Sequence, residues 1–85
     1  MKKVIVYTKD GCHLCERVIT ELQKLNSLRD FEVAVQDITT DPVLFERHRN
    51  TIPVVSVNGK IVFTAESLAR SGGLRRSLRE ALDAK

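Results

Sequence analysis

The chain has little aromatic content and no long apolar run. It has no tryptophan, one tyrosine and three phenylalanines. Proteins that bind nucleic acids interleave basic and aromatic side chains, and no such pattern occurs here. No apolar run approaches the roughly 20 residues that a membrane helix needs. We therefore expect neither a nucleic-acid partner nor a membrane span.

The start of the chain lacks a complete secretion signal. The basic residues Lys2 and Lys3 precede only the short apolar run 4–7, and no small-residue cleavage site follows. We interpret this run as the first strand and expect a cytoplasmic location. A length of 85 residues leaves room for one domain, residues 1–85, which we expect to be a monomer. The net charge is +3, and part of the excess lies near the end of the chain, in Arg70, Arg75, Arg76 and Arg79. We expect these arginines on a solvated helix face; the alternative is a docking surface for an acidic partner or for the carboxylates of glutathione.

The chain has only two cysteines, Cys12 and Cys15, with two residues between them. Cytosolic thiols are mostly reduced, so such a pair is expected to be catalytic or metal-binding rather than structural. Zinc would need two further ligands, and the only histidines are His13 and His48. A c-type haem would need a histidine where Glu16 stands. We expect no metal and no tightly bound cofactor.

The periodicity of apolar residues divides the chain into short elements. Residues 3–8 are almost continuously apolar and β-branched, which is typical of a central strand. Residues 12–25 carry an apolar stripe at helical spacing, and residues 31–36 alternate as a half-buried strand does. Asp41 and Pro42 are typical of a helix start, which predicts a short helix over 42–49.

The second half of the chain predicts a hairpin followed by a helix. Asn58-Gly59 lies between the apolar runs 54–57 and 60–63, the strongest short hairpin signal. Residues 65–70 predict a short turn or helix, 71–73 an interruption, and 74–84 a final helix. The element order is therefore β-α-β-α-β-β-α. A right-handed first crossover makes the first two strands parallel, and the hairpin makes the sheet mixed.

The cysteine pair falls where the first strand turns into the first helix. Unpaired N–H groups and the positive end of the helix dipole favour a thiolate there, and the thiolate is the nucleophilic form. Cys12 lies at the helix start and is the better nucleophile, whereas Cys15 lies one turn later on the inner stripe. A C-x-x-C motif near a βαβ pattern indicates thioredoxin-like redox chemistry.

The segments 7–15, 51–53 and 57–60 together resemble the glutaredoxin branch of the thioredoxin-fold family. Within it the chain is most similar to small bacterial glutaredoxin-like proteins with a C-H-L-C active site. The resemblance implies a thioredoxin-like α/β fold, with a four-stranded sheet of order 2-1-3-4 flanked by three helices. It also implies a thiol–disulfide oxidoreductase that reduces protein or glutathione-mixed disulfides, in which Cys12 attacks and Cys15 resolves the mixed disulfide.

The resemblance also implies a substrate-binding surface beside the cysteines. Pro53 matches the family's cis-proline, so that Ile52, after Thr51, offers its backbone to an extended cysteine-containing peptide. Lys9 stands where glutaredoxins carry a lysine that contacts the glycine carboxylate of glutathione. His13 replaces the usual proline and, if protonated, would stabilise the Cys12 thiolate.

The chain departs from the family in its Gly-Gly pair. Glutathione-using members carry this pair, followed by an acidic residue, soon after the hairpin. Here Gly72-Gly73 comes later and precedes Leu74. Glutathione and a flavoprotein disulfide reductase are therefore both candidate electron donors. Two other functions stay open: a non-catalytic interaction module that keeps the fold, and a metal or cluster carrier that binds through Cys12.

Overall fold

The computed structural model describes residues 2–66 and 73–83 of the chain. Its regular elements are β1 (Lys3–Thr8), α1 (His13–Asn26), β2 (Glu32–Asp37), α2 (Pro42–His48), β3 (Val54–Val57), β4 (Lys60–Phe63) and α3 (Gly73–Asp83). One 3-10 turn, Ile38–Thr40, precedes α2. None of the helices in the described ranges is both long enough and apolar enough to cross a bilayer.

The four strands form one mixed sheet in the order β2-β1-β3-β4. Strand β1 pairs in parallel with β2 and antiparallel with β3, and β4 pairs antiparallel with β3. This is the thioredoxin-like topology that the resemblance predicts. The prediction of fold class is therefore confirmed, including the strand order that patterning alone leaves open.

One face of the sheet carries the main core under α1 and α3. Val4 and Val6 of β1 lie on this face together because successive strand side chains alternate between faces. Both are fully buried beneath the helices. They pack with apolar side chains of both helices and of β3 and β4. This cluster comprises Val4, Val6, Val18, Leu22, Phe31, Val55, Val57, Phe63, Leu74 and Leu78.

Helix α3 is held against α1 by apolar packing and an ion pair at the rim. Leu74 and Leu78 are buried, and Ala81 and Leu82 pack against the cluster, as the helical spacing predicts. The Nε of Arg75 donates to Oε2 of Glu21 in α1 at 2.8 Å. This hydrogen bond lowers the pKa of the Glu21 carboxyl below its ordinary value. The described arginines of α3 are exposed, in line with the solvated face expected there, whereas Arg70 lies outside the described residues.

The opposite face of the sheet receives the short helix α2. Asp41 caps this helix by accepting a hydrogen bond from the Val43 N–H at 2.9 Å, and Pro42 follows as its first residue. Tyr7 of β1 stacks on His48 at the end of α2, with ring centroids 4.7 Å apart. The contact fixes the C-terminal end of α2 near the C-terminal end of β1.

The predicted hairpin is present, and its turn is tied to β1. Asn58 and Gly59 both have positive φ values, 51° and 88°, as a two-residue turn of this kind requires. The Asn58 side-chain oxygen accepts the Lys3 N–H at 2.9 Å, and the Asn58 N–H donates to the Lys3 carbonyl at 2.9 Å. The turn therefore anchors the sheet at the end opposite the cysteines.

Three sequence-based expectations need correction. The alternation over 31–36 predicts that Phe31, Val33 and Val35 share the buried face, but Val35 is 53% exposed because β2 is an edge strand. Phe31 and Val33 do pack on the core. Helix α2 ends at His48, with Arg49 as its cap. Gly73, expected in the interruption, is the first residue of α3 and has a φ of +60°. The predicted turn or helix over 65–70 lies outside the described residues beyond Glu66.

Candidate functional site

Cys12 and Cys15 are joined in a disulfide, with their Cα atoms 5.2 Å apart. Cys15 is fully buried on the apolar stripe of α1, whereas Cys12 is only half-buried. This asymmetry follows from the helix geometry. Cys12 precedes the first turn of α1, whereas Cys15 lies in that turn and faces the sheet. A reagent in solvent therefore reaches the first sulfur more easily than the second.

Cys12 is the N-cap residue of α1. Its backbone is extended, with φ −93° and ψ 100°, and its sulfur accepts a hydrogen bond from the Cys15 N–H at 3.1 Å. The first N–H groups of a helix have no partner within the helix, and here the sulfur fills the role that an oxygen usually takes. The same N–H, together with the helix dipole, favours negative charge on Cys12 when the disulfide is reduced.

The segment 51–53 lies at the same end of the sheet as the cysteines. Tyr7 is paired with Val54, so Pro53 comes level with the end of β1, from which the chain continues toward Cys12. The Ile52-Pro53 peptide bond is cis, as the resemblance predicts. Pro53 is buried, whereas Thr51 and Ile52 are half-buried.

Hydrogen bonds hold this segment from both sides. The N–H groups of Thr51 and Ile52 both donate to the His48 carbonyl, at 2.9 Å and 3.1 Å. The Thr51 hydroxyl donates to the same oxygen at 3.2 Å, and the Thr51 carbonyl accepts from the Ala65 N–H at 3.0 Å. The expectation that the Ile52 backbone is free is therefore wrong for its N–H group, which already has a partner.

Lys9 and His13, which the resemblance places on the substrate-binding surface, are both exposed to solvent. Lys9 is exposed in the loop between β1 and α1. The His13 side chain is 92% exposed, and its Nδ1 lies 3.7 Å from Oε2 of Glu16. Lys9 precedes the cysteine pair and His13 lies between the two cysteines, but the described contact of the His13 side chain is with Glu16 and not with the Cys12 sulfur.

His48 is the residue of this region that the sequence analysis missed. It is 5% exposed, and burial, with a smaller contribution from the charge of Arg47, lowers its pKa below the ordinary histidine value. From the sequence alone, His48 is a candidate only for metal binding. Its position at the end of a short helix just before Thr51 could have indicated a link between helix and loop, but no local pattern predicts the Tyr7 contact.

Within residues 2–66 and 73–83, no three side chains of histidine, cysteine, aspartate or glutamate converge in a way that could hold a metal ion. The Cys12–Cys15 pair thus has no nearby third ligand among the residues that the structure describes.

The fold and the cysteine pair define a thioredoxin-fold protein with a C-x-x-C motif at the start of its first helix. The model of the glutaredoxin-like domain family (DUF836) matches residues 3–79. The chain belongs to this family. A search among curated proteins gives no match.

Several solved structures share the fold. Protein Ne2328 from Nitrosomonas europaea is 31% identical, with 74% of this chain and 76% of that chain covered and a TM-score of 0.66. Thioredoxin 1 from Thermosipho africanus is 14% identical, with coverage of 95% and 90% and a TM-score of 0.61. A designed protein is 23% identical, with coverage of 99% and 78% and a TM-score of 0.65. The last two are similar in fold alone.

Proposed function

We propose that this protein is a thiol–disulfide oxidoreductase that reduces disulfides of protein substrates or mixed disulfides of glutathione. The Cys12 thiolate attacks one sulfur of the substrate disulfide, forms a mixed disulfide and releases the other substrate sulfur as a thiolate. The Cys15 thiolate then attacks the Cys12 sulfur. This step restores the Cys12–Cys15 disulfide and releases the second substrate thiolate, so that two electrons pass from the protein to the substrate.

The observation that supports this proposal most directly is the asymmetry of the cysteine pair. The half-buried Cys12 sulfur accepts the Cys15 N–H at 3.1 Å, and the fully buried Cys15 is close enough to bond to it. An attacking thiol needs access and a substantial thiolate fraction. A resolving thiol needs proximity and protection from other oxidants. Each cysteine has the features of one of these roles.

The segment 51–53 is proposed to bind the substrate chain next to its disulfide. It lies at the cysteine end of the sheet, where an extended peptide could pair with the backbone as an added strand. Since the Ile52 N–H is already bonded to the His48 carbonyl, the Ile52 carbonyl is the group that accepts from the substrate. Lys9 and His13 are proposed to contact the substrate from the exposed loop and helix start.

Turnover requires a donor of two electrons that reduces the Cys12–Cys15 disulfide again. We propose glutathione or a flavoprotein disulfide reductase as this donor, and a reducing compartment such as the cytoplasm as the place of the reaction. The protein is proposed to work as a monomer without a tightly bound cofactor.

Trapping with Cys15→Ser tests the proposal. This variant keeps the backbone N–H at residue 15 but has no resolving thiol, so substrates should remain attached to Cys12 as mixed disulfides. Cells that express the tagged variant are acid-quenched, free thiols are alkylated, and the captured proteins are identified by mass spectrometry. The matched control is Cys12→Ser/Cys15→Ser, which carries the same serine at position 15 and has no thiol.

The expected result is a set of captured proteins that a reductant releases and that the double variant does not retain. If Cys15→Ser captures no more than the double variant, and the purified wild type reduces no disulfide, the proposal is wrong. Elemental analysis of anaerobically purified protein is run alongside, because a metal or cluster on Cys12 would indicate the carrier function instead.

A further inference from the structure

We propose that His48 is a positioning residue for peptide substrates: it fixes the segment 51–53 against the sheet so that this segment is preorganised to receive a substrate strand. The inference rests on the proposed function. It assigns a role to a residue of α2 that lies outside the C-x-x-C motif and carries out no chemistry itself.

The first link runs from the His48 ring to the sheet. The ring stacks on Tyr7 with an interplanar angle of 26° and a centroid separation of 4.7 Å, and the residue is almost fully buried. Tyr7 is paired with Val54, the residue that follows Pro53. The imidazole therefore holds the end of α2 beside the first residue of β3, at the end of the sheet that carries the cysteines.

The second link runs from the His48 carbonyl to the loop. This one oxygen accepts the N–H of Thr51 at 2.9 Å, the N–H of Ile52 at 3.1 Å and the Thr51 hydroxyl at 3.2 Å. Residues 49–53 belong to no strand or helix, so contacts of this kind contribute directly to the order of the loop. The position of the loop thus depends on the position of the His48 backbone.

The two links act through one residue and in series. The ring fixes His48 on β1, and the carbonyl of the same residue fixes Thr51 and Ile52. Two further hydrogen bonds involve the loop: the Thr51 carbonyl accepts from the Ala65 N–H, and the Arg49 N–H donates to the Phe45 carbonyl within α2. Without the ring contact, the end of α2 loses its attachment to Tyr7, and the loop carbonyls lose their fixed direction. A substrate peptide must then order the loop as it binds, and this free-energy cost is one that a preorganised site avoids.

The test compares two disulfide substrates. A disulfide-bonded peptide needs both the cysteines and the binding segment, whereas 2-hydroxyethyl disulfide has no peptide backbone and reports on the cysteines alone. Steady-state rates are measured for the wild type, His48→Ala, His48→Phe and Glu46→Ala. His48→Phe keeps an aromatic ring for Tyr7, and Glu46→Ala is an exposed control on the same helix.

We expect His48→Ala to raise the KM for the peptide about tenfold with little change in kcat, since lost preorganisation weakens binding. The rate with 2-hydroxyethyl disulfide should change less than about twofold. His48→Phe and Glu46→Ala should behave like the wild type with both substrates. Amide hydrogen exchange by NMR should show faster exchange of the Ile52 N–H in His48→Ala alone.

Equal losses with both substrates would overturn the inference, because they would indicate general damage to the fold. Unchanged peptide kinetics in His48→Ala would overturn it as well. If His48→Ala does not fold, His48→Leu takes its place, since it fills the site without a ring to stack. A wild type that reduces neither disulfide would instead contradict the proposed function, so the two failures are distinguishable.

Discussion

The backbone N–H of Cys15 donates to the Sγ of Cys12 at 3.1 Å, so that the first cysteine of the motif is also the cap of the helix that contains the second. The group that stabilises charge on Cys12 thus belongs to the main chain. Replacement of the Cys15 side chain leaves it in place, which allows the two thiols to be studied one at a time.

The first prediction concerns the reactivity of the reduced pair. At pH 7, iodoacetamide should alkylate Cys12 much faster than an ordinary exposed thiol, because the Cys15 N–H and the helix dipole increase its thiolate fraction. Cys15 should stay unmodified, since it is fully buried. Mass spectrometry of digests taken over time gives both rates. In Cys15→Ser the rate at Cys12 should stay the same; a rate equal to that of free cysteine would contradict the assignment.

The second prediction is that His13 contributes little to this reactivity. Its side chain is 92% exposed, and its nearest ionic partner is Glu16 at 3.7 Å. Interactions between exposed charges are worth about 1 kcal/mol at most, which corresponds to about a fivefold change in rate. His13→Ala should therefore change the alkylation rate of Cys12 by less than that factor. A larger fall, measured in the same assay, would restore the view that His13 tunes Cys12.

The third prediction concerns the pH dependence of stability. Burial lowers the pKa of His48 in the folded protein, so on acidification the unfolded chain takes up the proton first, near the ordinary value of about 6.5. The contribution of His48 to the free energy of unfolding therefore has its full value above that pH, and it decreases as the pH falls toward the pKa of His48 in the folded protein. His48→Phe should lose less stability than the wild type between pH 7.5 and 5.5.

Urea unfolding at several pH values measures this difference. The carboxyls of Glu21, Asp37 and Asp83 have pKa values below their ordinary ones, so they titrate mostly below this range. The other histidine, His13, is exposed and is present in both proteins. Identical pH dependence of wild type and His48→Phe would contradict this prediction, because it would mean that His48 is protonated over the same pH range in the folded and in the unfolded protein.

The fourth prediction tests the core that positions α1. Leu22 is fully buried among the side chains under the helix, so Leu22→Ala should lower the free energy of unfolding by about 2–5 kcal/mol. The free energy of unfolding of a native protein is about 5–15 kcal/mol in total, so this loss would be a large part of the stability. Leu28, 79% exposed just beyond the same helix, is the matched control. Equal effects of Leu22→Ala and Leu28→Ala in urea unfolding would contradict the described packing.

Much of the fold follows from local pattern. The bounds of β1, the apolar stripe of α1, the cap at Asp41 and the Asn58-Gly59 turn all agree with the sequence-based expectations. Each depends on residues within a few positions of one another, so the sequence alone contains the signal. Val35 was misjudged because alternation indicates which face a side chain takes but not whether the strand lies at an edge.

The sequence by itself determined the class of protein and the place of its cysteine pair. The C-x-x-C motif fixes the spacing of the two cysteines, and the apolar strand before it and the amphipathic helix after it place the pair at the helix start. Only the tertiary structure decided which other residues lie at the cysteine end of the sheet and how they are held there. The stacking of Tyr7 on His48 joins residues far apart in the chain, and it depends on which face of the sheet α2 covers. The bond from the Ile52 N–H to the His48 carbonyl spans only four residues and is local, but the position of this bond beside β1 depends on the same packing.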